Sequence, residues 1–328
     1  MKKFLIIRFS SIGDIVLTTP VIRCLRKKFP DAEIHFLTKH KNASILKANP
    51  YLDKLYLIEK SISEVLEELK KEAYHHIIDL QNNFRSFKIK FFLRSPSRTF
   101  DKLNLLEWLL VSFKINKLPK DHIVDRYMKT IHPFHVKNDL KGLDYFIPED
   151  EEYDFSRLPD FFKNGYVAFV LSGTYFTKRF PEHKIIAVCN QLNIPFILLG
   201  GKSEIQIGIK VKRHTGSNVI NLCGSLTINQ SASIIKNAEM VITNDTGMRH
   251  VASALRKKIL SFWGSTVPEF GMTPYLPHPA SKMLQVKGLD CRPCSKLGSK
   301  RCPMGHFYCM NKIKINEIAQ WITHNYPA

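Results

Sequence analysis

The sequence predicts an α/β protein with two parallel-sheet domains, and three observations support this. Short apolar runs alternate with amphipathic stretches, which is typical of strands and helices in parallel sheets. The alternation occurs on both sides of an acidic, aromatic segment, Glu149 to Asn164, which we interpret as a linker. The length of 328 residues also suits two domains of ordinary size.

In the first half, Phe4 to Phe9 is predicted to be a fully buried strand. A helix follows, because Pro20 suits a first helical turn and apolar residues then recur on one face. Ser61 and Glu64 have the spacing of a capping box and predict another helix start. Two further strands are predicted at 33–38 and 77–80.

In the second half, strands are predicted at 166–171, 195–199, 219–222, 240–243 and 259–262. Ile315, Ile318 and Ile322 have helical spacing and predict a final helix. We therefore expect a first domain over 1–155 and a second over 156–311, with ligands bound between two such halves.

The charge balance indicates the chemistry of partners but not their identity. Lys and Arg total 49 against 29 Asp and Glu, a formal net charge of +20. This excess favours anionic partners such as nucleic acid, a phospholipid surface or a phosphorylated substrate. Arg8 ends the N-terminal apolar run after four residues, and no run approaches the roughly 18 residues of a membrane span. We expect a soluble, cytoplasmic protein for which any membrane contact is peripheral.

The loop after the first strand carries Ser10, Ser11, Gly13 and Asp14. Ligand-contacting residues gather at the carboxyl ends of strands in open α/β sheets. Gly13 allows close backbone approach. Asp14 suits a general base that deprotonates a hydroxyl, or alternatively a simple helix cap. The loop by itself leaves both interpretations open.

A second polar loop joins a predicted strand to a helix. Thr246 and Gly247 stand where the helix opens, and free backbone N–H groups there favour a phosphate. Asp245 lies at the strand tip and suits a helix cap or a contact to sugar hydroxyls. His250 falls one helical turn after Thr246, so it is a ligand candidate as well as a structural one.

Two more loops of the second half carry candidates. Thr174 and Lys178 follow a strand, and small residues with a cation suit a diphosphate. The first of these loops has neither Walker spacing nor a GxGxxG motif. Glu204 follows another strand and suits a ribose hydroxyl or a solvated carboxylate at a helix start.

Four of the seven cysteines lie close together near the C-terminus: Cys291, Cys294, Cys302 and Cys309. One CxxC with two further cysteines can form a tetrahedral zinc site, although this spacing is not that of a standard zinc ribbon. A packed or redox-sensitive thiol loop is the alternative. Disulfides are not expected in a reducing compartment.

Several blocks together resemble the lipopolysaccharide heptosyltransferases of glycosyltransferase family 9. In chain order they are Arg8-Phe9-Ser10-Ser11-Ile12-Gly13-Asp14 with Thr18-Thr19-Pro20, Asp79-Leu80-Gln81 with Arg85-Ser86, Lys178-Arg179-Phe180-Pro181-Glu182, Asn244-Asp245-Thr246-Gly247 with His250, and Phe262-Trp263-Gly264-Ser265-Thr266. The third block departs from the family, in which Trp is commoner than Phe180.

The resemblance implies a GT-B fold of two Rossmann-like domains facing across a cleft, with the final helix (about 312–328) joining the first domain. It implies inverting transfer with no obligatory cofactor, with Asp14 as catalytic base. It also places Thr174, Lys178, Glu204, Asp245, Thr246, Gly247 and His250 at the donor and Ser10, Ser11, Gly13, Gln81 and Arg85 on the acceptor side.

The resemblance also implies the partners. The donor would be a nucleotide-diphosphate sugar such as ADP-heptose, and the acceptor an anionic lipid-linked glycan at the cytoplasmic face of the inner membrane. A basic aromatic stretch, Phe87 to Arg98, suits the acceptor or lipid headgroups, or is an amphipathic core helix with a solvated face.

Two other functions stay open at this point. The same fold would serve a transferase or an epimerase that uses another nucleotide sugar. A basic nucleic-acid-binding protein is the third hypothesis, but it rests on net charge alone because the sequence has no recognised nucleic-acid motif. We expect no specific nucleic-acid partner.

Overall fold

The structure, a computed structural model, describes residues 2–327 and divides into two compact units. The first unit runs to Leu103 and takes in Lys120–Pro148, and the second consists of Asn104–Pro119 and the chain from Glu149 onward. Each unit contains one sheet in which neighbouring strands pair in parallel. The predicted α/β class with two parallel-sheet domains is confirmed.

The first sheet consists of β1 (Lys3–Ile7), β2 (Glu33–Lys39), β3 (Lys54–Ile58), β4 (His76–Asp79) and β5 (Ser97–Thr99), in the order β3-β2-β1-β4-β5. The second sheet consists of β6 (Val167–Val170), β7 (Phe196–Leu199), β8 (Val219–Asn221), β9 (Met240–Asn244), β10 (Lys258–Trp263) and β11 (Lys282–Gln285), in the order β11-β10-β9-β6-β7-β8. Central strands such as β1 and β6 are almost wholly buried, as continuous apolar runs require.

The helices are α1 (Ile12–Val16), α2 (Thr19–Lys28), α3 (Leu66–Lys71), α4 (Phe84–Leu93), α5 (Asn104–Phe113), α6 (Ile123–Met128), α7 (Asp160–Lys163), α8 (Glu182–Gln191), α9 (Ile205–Arg213), α10 (Ile228–Asn237), α11 (Gly247–Ala254), α12 (Tyr308–Asn311) and α13 (Ile315–Asn325). Within residues 2–327, none of them has the length and apolar character that crossing a membrane requires.

All eight strands predicted from the sequence are present, each with ends within two residues of the prediction. Three strands were not predicted: β3, β5 and β11. Each lies at the edge of its sheet. An edge strand is buried less completely, so it lacks the continuous apolar run that marks a central strand; all three residues of β5 are exposed.

The segment interpreted as a linker is packed against the second unit. Leu158 and Phe162 are almost fully buried in a core cluster beneath β6 and β9. The boundary between the units therefore falls at Pro148, seven residues before the expected position after residue 155. The acidic composition of this segment predicted a linker, but its buried apolar side chains pack it into the second unit.

Two further segments differ from the expected domain organisation. The final helix α13 packs against α8, and its Ile318 and Ile322 are fully buried in the core of the second unit. It thus belongs to the second unit rather than joining the first. Helix α5 also belongs there, where Leu110 packs with Val267 and Phe270.

In the first unit, a buried cation fixes the chain after α6 to α2. Arg23 is 3% exposed and forms ion pairs with Asp139 and Asp144, and it donates a further hydrogen bond to the carbonyl of Gly142 at 2.8 Å. A buried guanidinium is tolerated only when its donors are paired. The two carboxylates therefore hold residues 139–144 against the helix.

We expect Arg23→Ala to lower the free energy of unfolding by about 3 kcal/mol, because it leaves two partly buried carboxylates without their main counterion. Urea denaturation followed by circular dichroism measures this. Lys27→Ala is the matched control, since Lys27 contacts the same Asp139 from an exposed position and we expect a change below about 1 kcal/mol. Equal destabilisation by both variants would contradict the assignment.

Candidate functional site

In both sheets the first strand lies in the interior, and later strands are added first on one side of it and then on the other. In the first unit β2 and β3 lie on one side of β1, and β4 and β5 on the other. In the second unit β7 and β8 lie on one side of β6, and β9 to β11 on the other. Loops that leave two such neighbouring strands diverge and open a crevice at their carboxyl ends, where ligands bind in open α/β sheets.

In the first unit, the loop after β1 places Asp14 in the first turn of α1. Its Oδ2 accepts hydrogen bonds from the backbone N–H of Ser11 at 2.7 Å and from the Ser11 hydroxyl at 2.8 Å. Its Oδ1 lies 2.9 Å from Nη2 of Arg8, and the side chain is 18% exposed. Asp14 is thus an oriented carboxylate that pairs with Arg8 and remains accessible.

These contacts bear on the two interpretations of Asp14. The bonds to Ser11 show that the carboxylate does close the start of α1, as the cap interpretation predicts. A carboxylate oxygen has two lone pairs, and Oδ1 accepts from Arg8 alone among the contacts described. The cap therefore leaves one acceptor position for a proton, and the role of Asp14 as base stays a prediction.

The loop after β4 lies directly beside the loop after β1. Gln81 accepts a hydrogen bond from the backbone N–H of Phe9 at 2.8 Å through Oε1, so it joins the two strand ends. Ser10 is partly exposed and its carbonyl accepts from Nε of Arg8 at 2.8 Å, while Gly13 is buried. Arg85 is exposed on α4. The structure brings Ser10, Ser11, Gly13, Asp14 and Gln81 together, whereas Arg85 is the second residue of the next helix, α4.

In the second unit, a buried carboxylate organises the loop after β9. Asp245 Oδ2 lies 2.7 Å from Nζ of Lys178 and accepts from the hydroxyl of Thr266 at 2.7 Å. Its Oδ1 lies 2.8 Å from Nη2 of Arg249. Burial by itself would raise the pKa of Asp245, but the charges of Arg249 and Lys178 hold that pKa well below its usual range.

Two cations therefore share one carboxylate, which leaves a surplus positive charge at this strand end. Arg249 is 1% exposed, lies with its guanidinium 4.4 Å from the ring centroid of Trp263, and donates to the carbonyl of Met272 at 2.6 Å. Lys178 is the more accessible of the two, at 16% exposure. Arg249 is the fixed counterion, and Lys178 is the cation available to a ligand.

Sequence reasoning missed Arg249, which lay inside a recognised block but received no role. The signal was present: Asp245 and Arg249 are four residues apart, the spacing at which opposite charges on a helix meet. Arg8 was missed too. A charged residue at the end of a buried strand needs a partner, and Asp14 provides it.

Helix α11 begins beside this network. Thr246 precedes its first residue, Gly247, and the Thr246 hydroxyl oxygen is buried with no hydrogen-bond partner among residues 2–327. The free N–H groups of the first turn and the positive end of the helix dipole favour an anion here. The His250 side chain is 2% exposed and therefore buried among protein atoms. Its contact to the donor stays a prediction.

The other two candidates of this unit differ in environment. Thr174 is exposed in the loop after β6. Glu204 is 3% exposed and accepts from the backbone N–H of Gly201 at 2.9 Å and from the Ser203 hydroxyl at 2.7 Å. Glu204 thus closes the start of a helical turn, but as a buried group rather than the solvated one that the simpler interpretation predicted. Its contact to a ribose stays a prediction.

The structure does not support zinc at the cysteine cluster. No three ligand atoms among Cys291, Cys294, Cys302, Cys309 and neighbouring His or acidic residues lie within 4.8 Å of one another, whereas a tetrahedral ion requires four at such separations. The Cys294 thiol donates to the carbonyl of Cys291, and Cys309 is buried in the core. Burial raises the pKa of the thiols of Cys294 and Cys309 to about 11, which favours the protonated form.

A group of metal-ligand type does occur in the first unit, where Glu33, His35 and Glu72 approach one another. Lys3 already occupies this cluster, with Nζ at 2.8 Å from Glu33 and 2.9 Å from Glu72. Lys54 pairs with Glu72 as well. Lysine ammonium groups thus neutralise the carboxylates, and we interpret the cluster as a salt-bridge network.

Surface depressions of the second unit lie away from the strand ends just described. One is lined by residues of α8 and α13, including Gln191 and Asn316, and another by Phe161, Lys212 and Asn221. Neither contains a candidate residue. The chemistry of the strand-end loops, rather than the size of a depression, identifies the site.

We expect Asp245→Asn to lower the free energy of unfolding by about 3–5 kcal/mol at pH 7, because Arg249 is then buried without a carboxylate. The depressed pKa means that the ion pair stabilises the wild type above the ordinary value of 3.8 and that this stabilisation is lost as the pH falls below it. The difference between variant and wild type should therefore shrink in acid.

Urea denaturation at pH 7 and at progressively lower pH measures that difference. Asp160→Asn is the matched control, because Asp160 is exposed and pairs with Lys163 on the surface, so we expect a change far smaller than that of Asp245→Asn. A destabilisation by Asp245→Asn that is the same at low pH as at pH 7 would contradict the ionised network.

Comparison with known proteins places this geometry in a family. The family model described as "Glycosyltransferase family 9 (heptosyltransferase)" matches residues 62–307. The lipopolysaccharide heptosyltransferase 1 of Campylobacter coli is 26% identical over 80% of this chain and 84% of its own length.

Solved structures agree in fold. A glycosyltransferase family 9 protein from Veillonella parvula aligns with a TM-score of 0.77 and 19% identity, over 98% of this chain and 96% of its own. The ADP-heptose lipopolysaccharide heptosyltransferase II of Escherichia coli aligns with a TM-score of 0.74 and 19% identity, over 99% and 98%. The family match covers most of the chain, and the chain belongs to glycosyltransferase family 9, a family of heptosyltransferases with the GT-B fold.

Proposed function

We propose that this glycosyltransferase moves a heptose from ADP-heptose to a lipopolysaccharide core or lipid A precursor, with inversion at the anomeric carbon. The relatives support the donor and acceptor classes through their names, which include lipopolysaccharide heptosyltransferases. The observation that carries the proposal is the surplus positive charge at the end of β9, where Lys178 and Arg249 share Asp245.

The second unit has the chemistry of a diphosphate site. Lys178 supplies a point charge with several donors, and the first turn of α11 supplies backbone N–H groups. When Lys178 turns toward the donor diphosphate, Arg249 continues to neutralise Asp245, so no buried carboxylate is left without a cation. Positive groups at this position stabilise the charge that develops as ADP leaves.

The first unit supplies the base. Asp14 pairs with Arg8, is oriented by Ser11 and is still accessible, which suits a carboxylate that takes a proton from an acceptor hydroxyl. The hydroxyl oxygen attacks the anomeric carbon, its proton passes to Asp14, and the bond from that carbon to the diphosphate oxygen breaks. ADP departs with the electron pair of that bond, and a single displacement inverts the configuration.

We also propose where this reaction occurs. The acceptor precursor carries anionic groups and a lipid, so the enzyme would work in the cytoplasm as a peripheral protein at the inner-membrane surface. The formal net charge of +20 supports this placement, because anionic lipids attract basic proteins.

We expect Asp14→Asn to reduce kcat for heptose transfer by about 10²–10⁴-fold, since an amide cannot accept the proton. The amide oxygen can still accept from Ser11, so the helix start should persist and ADP affinity should stay at the wild-type value. Steady-state transfer assays with isothermal titration of ADP test both parts. Asp31→Asn, at an exposed position of the same unit, is the control, and wild-type activity in Asp14→Asn would remove the base assignment.

We expect Lys178→Ala to raise the dissociation constant for ADP roughly tenfold, which corresponds to the loss of one charge-assisted hydrogen bond. Isothermal titration at fixed salt measures the constant. Lys163→Ala is the control, because Lys163 is an exposed lysine of the same unit that pairs with Asp160. An unchanged constant in Lys178→Ala would exclude Lys178 from the donor site.

A further inference from the structure

Helix α4 is apolar on two faces, although only one of them packs against the protein. Ser86 and Ile89 are fully buried on its inner face, and Ile89 belongs to the core of the first unit. Opposite them, Phe84 is 70% exposed, Phe87 57% and Phe91 64%. The inner face packs the helix against the core of the first unit. The exposed phenylalanines of the outer face take no part in that packing.

The three outer phenylalanines form one continuous stripe. Their spacing of three and four residues places them on the same side of a helix. Phe92 extends the stripe at 45% exposure, and its ring packs edge-on against Phe91 with 5.6 Å between centroids. We call this surface, formed by Phe84, Phe87, Phe91 and Phe92, the α4 aromatic face.

Basic residues predominate in the segment of chain that carries the α4 aromatic face. Between Leu80 and Phe100 the chain has five Lys or Arg residues and no Asp or Glu. Lys88 lies within the stripe, with Nζ 4.6 Å from the ring centroid of Phe84, and Arg94 is exposed at the end of the helix. Lys90 is different, because it turns inward and pairs with Asp79 at 2.8 Å.

We propose that the α4 aromatic face docks the enzyme on an anionic phospholipid bilayer, with the phenylalanines inserted at the level of the headgroups and Lys88 and Arg94 on lipid phosphates. An amphipathic helix with aromatic residues between cations binds in the membrane interface in this way. Charge complementarity selects anionic lipid over a neutral surface. The inference rests on the proposed function for its biological setting and identifies the surface that would carry the membrane contact.

Co-sedimentation with vesicles of phosphatidylglycerol and of phosphatidylcholine tests the proposal. We expect the wild type to bind phosphatidylglycerol vesicles, more weakly as salt rises, and to bind phosphatidylcholine weakly. Phe87→Ser/Phe91→Ser should lower the partition coefficient roughly tenfold or more, from lost apolar burial. Lys88→Gln should lower it about fivefold, and only on the anionic vesicles.

Phe161→Ser is the matched control, because Phe161 is also an exposed phenylalanine, at 49%, but it lies in the other unit and outside the α4 aromatic face. We expect its vesicle binding to equal that of the wild type. Size-exclusion chromatography with light scattering shows whether the α4 aromatic face instead joins two copies of the chain. A dimer that the Phe87→Ser/Phe91→Ser variant converts to monomer would overturn the proposal in favour of self-association.

Three other results would overturn it: no wild-type binding to either vesicle, equal binding to both lipids, or unchanged binding in Phe87→Ser/Phe91→Ser. If that variant does not fold, Lys88→Gln and the salt dependence of the wild type decide the question. Transfer to a water-soluble, deacylated acceptor separates this inference from the proposed function. We expect Phe87→Ser/Phe91→Ser to retain that activity, whereas a wild type that binds vesicles but transfers no heptose defeats the proposed function alone.

Discussion

The reversal of strand order beside β1 and beside β6 is the constraint on which the candidate sites depend. In a parallel sheet all carboxyl ends meet at one edge, and only where neighbouring crossovers diverge does that edge stay open. The loops after β1 and β4 meet at one such point, and those after β6 and β9 at the other. The polar residues of these loops gather there because β1 and β4, and likewise β6 and β9, are neighbours that end at the same edge of a parallel sheet.

Each opening contains a carboxylate beside a buried guanidinium, but the balance of charge differs. In the first unit Arg8 and Asp14 form a one-to-one pair, which orients the carboxylate without an excess of either sign. In the second unit Arg249 and Lys178 share Asp245, so one positive charge is in surplus. A proton acceptor and an anion site therefore arise from the same kind of contact, and the number of cations distinguishes them.

The substitution of Phe for the commoner Trp at position 180 leaves the local packing aromatic. Phe180 stacks on Phe262 with 4.0 Å between ring centroids, and its backbone N–H donates to Oδ1 of Asn244 at 3.0 Å. The loop that carries Lys178 is thereby fixed to the end of β9. Its cation can reach Asp245 because these two contacts bring the two strand ends together.

The sequence by itself determined the fold class, the eight better-buried strands and most of the residues at the strand ends, because buried strands and small polar loops leave a local pattern. Tertiary structure decided what no local pattern contains. Edge strands such as β3 form because they pair with a neighbouring strand, and their own sequence does not mark them as strands. The segment after Pro148 packs through Leu158 and Phe162 despite its polar composition. Close spacing of the cysteines along the chain did not bring three of their sulfur atoms within 4.8 Å of one another, as a tetrahedral metal site requires. The roles of Arg8 and Arg249 likewise depend on which carboxylate lies opposite each buried charge, and that is a property of the folded chain.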